Sequence, residues 1–144
     1  MHNTIIRSAT VADGAVLYAM LCQLEQTQLP LPEFEAILEH NLTNPNVGYW
    51  IAEQDTKPVG VVSCHLQALL HHATWVAEIQ EMYVAESHRS QGIGKALIQA
   101  VEAFAKANNV TWLEVTTRST RIRAQQFNRR EGFEATHAKL VKSI

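Results

Sequence analysis

The chain is short of cysteine, of charge and of long apolar runs, and each shortage excludes something. Only Cys22 and Cys64 occur among its 144 residues. Two thiols so far apart make neither a disulfide framework nor a zinc site, so both are expected as reduced, buried side chains. Charged residues make up 18%, with 12 basic against 14 acidic and a net charge of −2. A protein that binds DNA or RNA by neutralising phosphates carries a basic excess, so no nucleic-acid partner is expected. No apolar stretch approaches the roughly 20 residues that span a bilayer. The opening MHNTIIRSAT lacks a basic-then-apolar leader. No membrane partner is therefore expected, and the cytoplasm is the expected compartment. Low-complexity tracts, internal repeats and Gly/Ser linkers are also missing. One domain over residues 1–144 is expected at this length, with enough core to need no staples.

What is present is a mixture of two periodicities. Residues 4–9 alternate around Ile6 and predict a strand. Polar cap candidates follow at 10–13, then Val16, Leu17, Met20, Leu21 and Leu24 at helical spacing. Leu29-Pro30-Leu31-Pro32 stops that helix, and Phe34, Ile37, Leu38 and Leu42 form the next apolar stripe. Strands are predicted over 48–53, 59–69 and 74–85 as an antiparallel meander. Residues 90–108 make the strongest helix, with Ile93, Leu97, Val101 and Phe104 on one stripe. A strand over 111–116, a helix over 121–131 and a final strand over 133–141 complete the chain. The order β-α-α-β-β-β-α-β-α-β predicts an α/β (α+β) fold with a mixed central sheet.

Chemistry concentrates where the 74–85 strand runs into the best helix. The turn Arg89-Ser90-Gln91-Gly92-Ile93-Gly94 opens that helix, followed by Lys95. A first helical turn has unpaired N–H groups and the positive end of the dipole. Glycine at 92 and 94 removes the β-carbon, so a phosphate can approach the backbone. The spacing is not G-x-G-x-x-G, since position 97 is Leu, and no P-loop sequence occurs.

R-x-x-G-x-G after a strand ending Met82-Tyr83-Val84, and before an amphipathic helix, resembles the acetyl-CoA signature of the GNAT N-acetyltransferase superfamily. A second block, Arg123 to Phe133, is similar to that superfamily's A-x-x-F-Y-x-x-x-G-F segment. Residues 65–81 and Arg129-Arg130-Glu131-Gly132-Phe133 resemble bacterial aminoalkylphosphonate N-acetyltransferases more closely. Aminoglycoside 6′-N-acetyltransferases are more distant relatives of similar length.

The resemblance implies the GNAT acyl-CoA N-acyltransferase fold and acetyl transfer from acetyl-CoA to a small primary amine, by direct attack in a ternary complex. An aminoalkylphosphonate is the first expected acceptor. An aminoglycoside or polyamine is the alternative, and a non-catalytic acyl-CoA-binding regulatory domain is the rival from another class. A homodimer is a common state in the superfamily. The resemblance places a catalytic base at Glu78; the competing reading is a surface carboxylate on a solvated strand. Glu78, Gln80 and Met82 share one strand face unless a bulge intervenes, and Glu81 and Tyr83 share the other. Glu81, His65 and Gln80 are expected on the amine side. Backbone groups of Met82, Tyr83 and Val84 are expected to pair with pantetheine. Arg89, Ser90, Gln91, Gly92, Ile93, Gly94 and Lys95 are expected around the pyrophosphate, and Arg123, Phe127 and Asn128 are expected to line the cofactor.

Three features stay open at this level. Asn128 stands where the family commonly has a Tyr that protonates the departing thiolate, and an amide has no acidic proton to give. His65, His71 and His72 cluster near one hairpin; a turn centred between 71 and 72 sets His65 opposite Glu78, where it could tune the base or help hold a divalent metal. His71 and His72 would point apart, so no metal-ligand set is assigned. Arg118, Arg121, Arg123, Arg129 and Arg130 could bind the CoA 3′-phosphate or an anionic acceptor group, or could simply cover solvated faces.

Overall fold

The computed structural model describes residues 3–144. In chain order it contains β1 (Thr4–Ser8), α1 (Gly14–Glu25), α2 (Leu31–Leu42), β2 (Val47–Gln54), β3 (Lys57–Leu69), β4 (Thr74–Ile79), β5 (Met82–Val84), α3 (Ile93–Ala107), β6 (Leu113–Val115) and α4 (Ile122–Arg130). The sheet runs β1-β2-β3-β4-β6, and β5 also pairs with β3. Every pairing is antiparallel except β4 with β6.

Each face of the sheet carries its own apolar layer. On one, Ile93, Leu97, Ile98, Val101 and Ala105 of α3 pack on Val62, Cys64, Leu66, Ala77 and Ile79. On the other, Leu17 and Met20 of α1 and Leu38 of α2 pack on Ile51 and Val61. The prolines serve both neighbouring helices. α1 ends at Glu25 with Gln26 left-handed, Pro30 caps α2, and Pro32 lies in its first turn, where a missing N–H costs nothing.

One ion-pair cluster ties the first strand to the first helix. The Arg7 guanidinium donates to both Asp13 carboxylate oxygens, at 2.9 and 2.8 Å, and to Glu53 at 2.7 Å. Asp13 also accepts the Thr10 N–H at 2.8 Å. The hydrogen bond from Arg7 lowers the Asp13 pKa to about 2, against burial that raises it. A depressed carboxylate gives stability that is complete above its unfolded value, about 3.9, and is lost as pH falls through the folded value. Denaturation midpoints of the native protein are therefore expected to drop as pH falls from about 4 towards about 2, and Asp13→Asn should flatten that limb. An identical acid limb in the variant would show that this pair does not carry it. Arg7 is partly exposed, so Arg7→Ala is expected to cost only about 1–2 kcal/mol.

The structure corrects the expected elements in two places. The strand predicted over 74–85 is broken: β4 stops at Ile79 and β5 starts at Met82. The final strand predicted over 133–141 does not form. Phe133 packs on the α3 layer, but the residues after it are exposed and pair with no strand. Their pattern explains this, since Phe133 and Ala135 share a strand face with His137 and Lys139, leaving no continuous apolar side.

Candidate active site

The break between β4 and β5 is a β-bulge. His65 pairs with Glu78 and Val62 with Met82, so two residues of β3 face three of its partner. The extra residue is held by Ser63, which is fully buried. Its N–H donates to the Glu81 carbonyl at 2.9 Å, and its hydroxyl oxygen accepts the Glu81 N–H at 2.9 Å. The same hydroxyl donates to the Glu81 carboxylate.

A bulge inverts the facing of everything beyond it. Met82 packs with Ile79 in the α3 layer, while Tyr83 packs with the α1/α2 layer. The expected grouping of Met82 with Glu78 and Gln80 is thus corrected, through the proviso of a bulge. Glu81 bonds to Ser63, which lies opposite Tyr49 in the register of β2 and β3. Tyr49 packs in the α1/α2 layer, and its hydroxyl accepts from Asn41 Nδ2 at 2.7 Å. Burial pushes the Tyr49 phenol up, Asn41 opposes this, and the Glu81 charge adds to it.

Glu78 sits opposite His65 on one side and Glu114 on the other. The turn centred on His71 and His72 sets that register. Its Oε2 accepts from the Thr116 hydroxyl at 3.0 Å, and the residue is half-buried. His72 faces Glu114 at 3.6 Å and lies against Trp112. Among the described residues no group of three or more His, Cys, Asp or Glu is placed to hold a metal ion. Cys64 is fully buried, which pushes its thiol up to about 12; Cys22 is only half-buried.

β4 and β6 stay paired only as far as Ile79 and Val115. Beyond them β5 follows β3, and no strand among the described residues lies on its other edge. Glu81 and Ala85 turn their backbone groups to β3, so alternation turns those of Met82 and Val84 to the open edge. Arg89 Nε occupies one of them, donating to the Val84 carbonyl at 2.9 Å, with its guanidinium 5.9 Å from the centre of the Tyr83 ring.

At the foot of that edge stands the N-terminus of α3. Gly92 caps it in a left-handed conformation, φ 82°, with no side-chain cap. An added β-carbon there would meet nothing within 4 Å. Ser90 is also left-handed, and Gln91 accepts from Gln54 at 3.0 Å. Lys95 is exposed in the first turn. Gly94 has a different reason from the one its spacing suggests. A β-carbon there would come within 2.9 Å of Phe127 Cζ and 3.2 Å of Met82 Cε, so this glycine lets α3, α4 and β5 meet.

Of the five arginines in and just before the second block, two are already engaged within the protein. Arg118 pairs with Glu25 at 2.5 Å and Arg121 donates to the Leu24 carbonyl, so both bind the end of α1. Arg123, Arg129 and Arg130 are exposed. Asn128 is buried and donates to the Thr117 hydroxyl oxygen at 2.9 Å. Trp50 packs on Phe104. Beside the end of α1, Tyr18, Cys22, Gln23, Gln26, Thr27 and Gln28 line a shallow cavity of about 390 Å³. Sequence reasoning missed Ser63, Thr116 and Thr117, since a serine in an apolar strand and two threonines after one carry no motif.

An open strand edge leading from a helix N-terminus without a side-chain cap to a carboxylate suits an extended, phosphate-bearing acyl donor. Residues 16–133 match the acetyltransferase (GNAT) family. The chain belongs to that family. It is an N-acetyltransferase that takes its acyl group from acetyl-CoA. It is 35% identical over 139 residues to an aminoalkylphosphonate N-acetyltransferase of Salmonella typhimurium, covering 96% of this chain and 90% of that one. Two solved structures share the fold at lower identity. An aminoglycoside N-acetyltransferase, AAC(6′)-Iy in complex with CoA, has a TM-score of 0.90 at 19% identity, covering 100% of this chain and 96% of its own. A transcriptional regulator from Bacillus halodurans C-125 has a TM-score of 0.89 at 23% identity, covering 99% of this chain and 100% of its own. No helix among the described residues is long and apolar enough to cross a membrane.

Proposed function

We propose that this acetyltransferase, as a single domain, acetylates the primary amine of a small aminoalkylphosphonate-like molecule by direct attack in a ternary complex. The observation that carries the acceptor class is the 35% identity to the Salmonella enzyme over nearly the whole of both chains.

The residues divide the work as follows. The N–H groups from Arg89 to Lys95 and the dipole of α3 hold the pyrophosphate, and Arg123 is free to meet a further phosphate. The backbone N–H and carbonyl of Met82 and the N–H of Val84, open on that edge, orient the pantetheine arm, and the N–H groups polarise the thioester carbonyl, with Tyr83 pairing inward to β3. Phe127 and Asn128 back the same groove. Acetyl-CoA supplies an acetyl group activated as a thioester. Glu78, steadied by Thr116 and flanked by His65, takes the proton that the substrate ammonium gives up so that its nitrogen can attack. A carboxylate is weaker than an alkylamine as a base by several pKa units, so a bridging water suits the transfer. Glu81, Gln80 and His65 hold the amine near that point.

The test is thiol release from acetyl-CoA across a panel of aminoalkylphosphonates, aminoglycosides and polyamines, with and without divalent metal. Turnover is expected to be highest with an aminoalkylphosphonate. Faster turnover of the polycations would move the acceptor class to them. CoA binding without turnover of any amine would favour a regulatory acyl-CoA-binding role.

A further inference from the structure

We propose that the Thr117 hydroxyl is the hydrogen-bond donor that receives the leaving thiolate, a catalytic residue at the position opposite the base. The assignment rests on the acetyl-transfer reading above. β4 and β6 part after Ile79 and Val115, so the opening between them has its apex between Gln80–Glu81, which follow β4, and Thr116–Thr117, which follow β6. An extended arm that starts at the α3 N-terminus and follows the open edge of β5 ends at that apex. The reacting sulfur therefore arrives beside the two threonines.

Those threonines are oriented differently. Thr116 spends its proton on Glu78, and neighbouring residues of an extended chain point to opposite sides. Thr117 meets Asn128, whose Nδ2 donates to Thr117 Oγ at 2.9 Å. With that lone pair taken, the Thr117 hydroxyl still has its own proton to give, and among the described residues it has no acceptor. No phenol competes for the role. The chain has three tyrosines; Tyr49 and Tyr83 pack in the α1/α2 layer, and Tyr18 donates to the Leu29 carbonyl and lies against Phe34. Asn128 thus works through Thr117, fixing which way its proton points.

The step balances without an acid. The amine nitrogen bonds to the thioester carbon, and the carbon–sulfur bond breaks. The electron pair leaves on sulfur, where the Thr117 O–H stabilises it. The ammonium proton passes to solvent by way of Glu78, and the thiolate takes a proton from water afterwards. A neutral hydroxyl suffices because a thiol ionises within about two units of neutrality.

The test compares Thr117→Val, which keeps the shape and removes the donor, with Thr117→Ser, which keeps the donor. Thr117→Val is expected to lower kcat by about tenfold or more with a smaller change in KM for acetyl-CoA, and Thr117→Ser to stay within about threefold of the native rate. A readout that needs no turnover is the pH titration of the thiol of bound CoA, followed by thiolate ultraviolet absorbance. Its midpoint should rise by about one unit in Thr117→Val and stay in place in Thr117→Ser. A bound thiol that titrates at the native pH in folded, CoA-binding Thr117→Val overturns the assignment. Native protein that acetylates no amine overturns the acetyl-transfer reading instead, whatever the titration gives.

Discussion

Glu78→Gln is expected to lower turnover by about a hundredfold while leaving CoA affinity within about twofold, because positioned proton transfer contributes roughly that much. Glutamine keeps the length of the side chain and can still accept from Thr116, so the bond at 3.0 Å has a replacement partner. What it loses is the negative charge and the ability to take a proton. Glu78 lies on β4, ahead of the bulge, while the open backbone edge belongs to β5. Its substitution should therefore spare the cofactor groove. The native rate is expected to rise with pH as more of the amine is deprotonated, and the variant should show its remaining activity mainly at the alkaline end. Steady-state kinetics over a pH series, with CoA binding measured by calorimetry, separates the two effects. A rate within threefold of native at neutral pH would remove Glu78 from the role, and a parallel loss of CoA binding would make it structural.

Much of this arrangement is legible because short-range rules govern it. The amphipathic stripe of α3 is a local pattern. A turn centred on His71 and His72 is enough to set His65 opposite Glu78, since register in a hairpin follows from the turn. The bulge is different. It depends on Ser63 bonding three ways to Glu81, a contact between residues far apart in the chain. Nothing in the local alternation of residues 74–85 announces it, and yet it decides which way Met82 and Tyr83 face. The same holds for Gly94. Its position beside Gly92 suggests a shared role at a phosphate, whereas the fold uses it to let Phe127 and Met82 approach. Arg118 and Arg121 look like ligands for an anion until the end of α1 is brought beside them. Asn128 reads as a lost acid, and only the neighbouring Thr117 gives its amide a purpose.

Gly92→Val is expected to raise KM for acetyl-CoA by about tenfold or more, with a smaller effect on kcat once the cofactor is saturating. Two costs combine. At φ 82° a β-branched residue is strained by about 1–3 kcal/mol, so the turn that aims the first N–H groups of α3 would shift. A side chain would also stand at the mouth of that turn, where no atom beyond its own chain neighbours lies within 4 Å of the added β-carbon and the phosphates are expected. Asparagine tolerates the left-handed region better than valine. If strain dominates, Gly92→Asn should recover most of the affinity; if occupancy of the phosphate site dominates, it should recover little. Gly94→Ala provides the contrast, because its added carbon meets Phe127 and Met82 inside the protein. It should lower the melting temperature more than it weakens CoA. Calorimetric titration with CoA, paired with thermal melts of the three variants, reads both quantities. Native affinity in Gly92→Val would mean that the pyrophosphate does not sit on the first turn of α3.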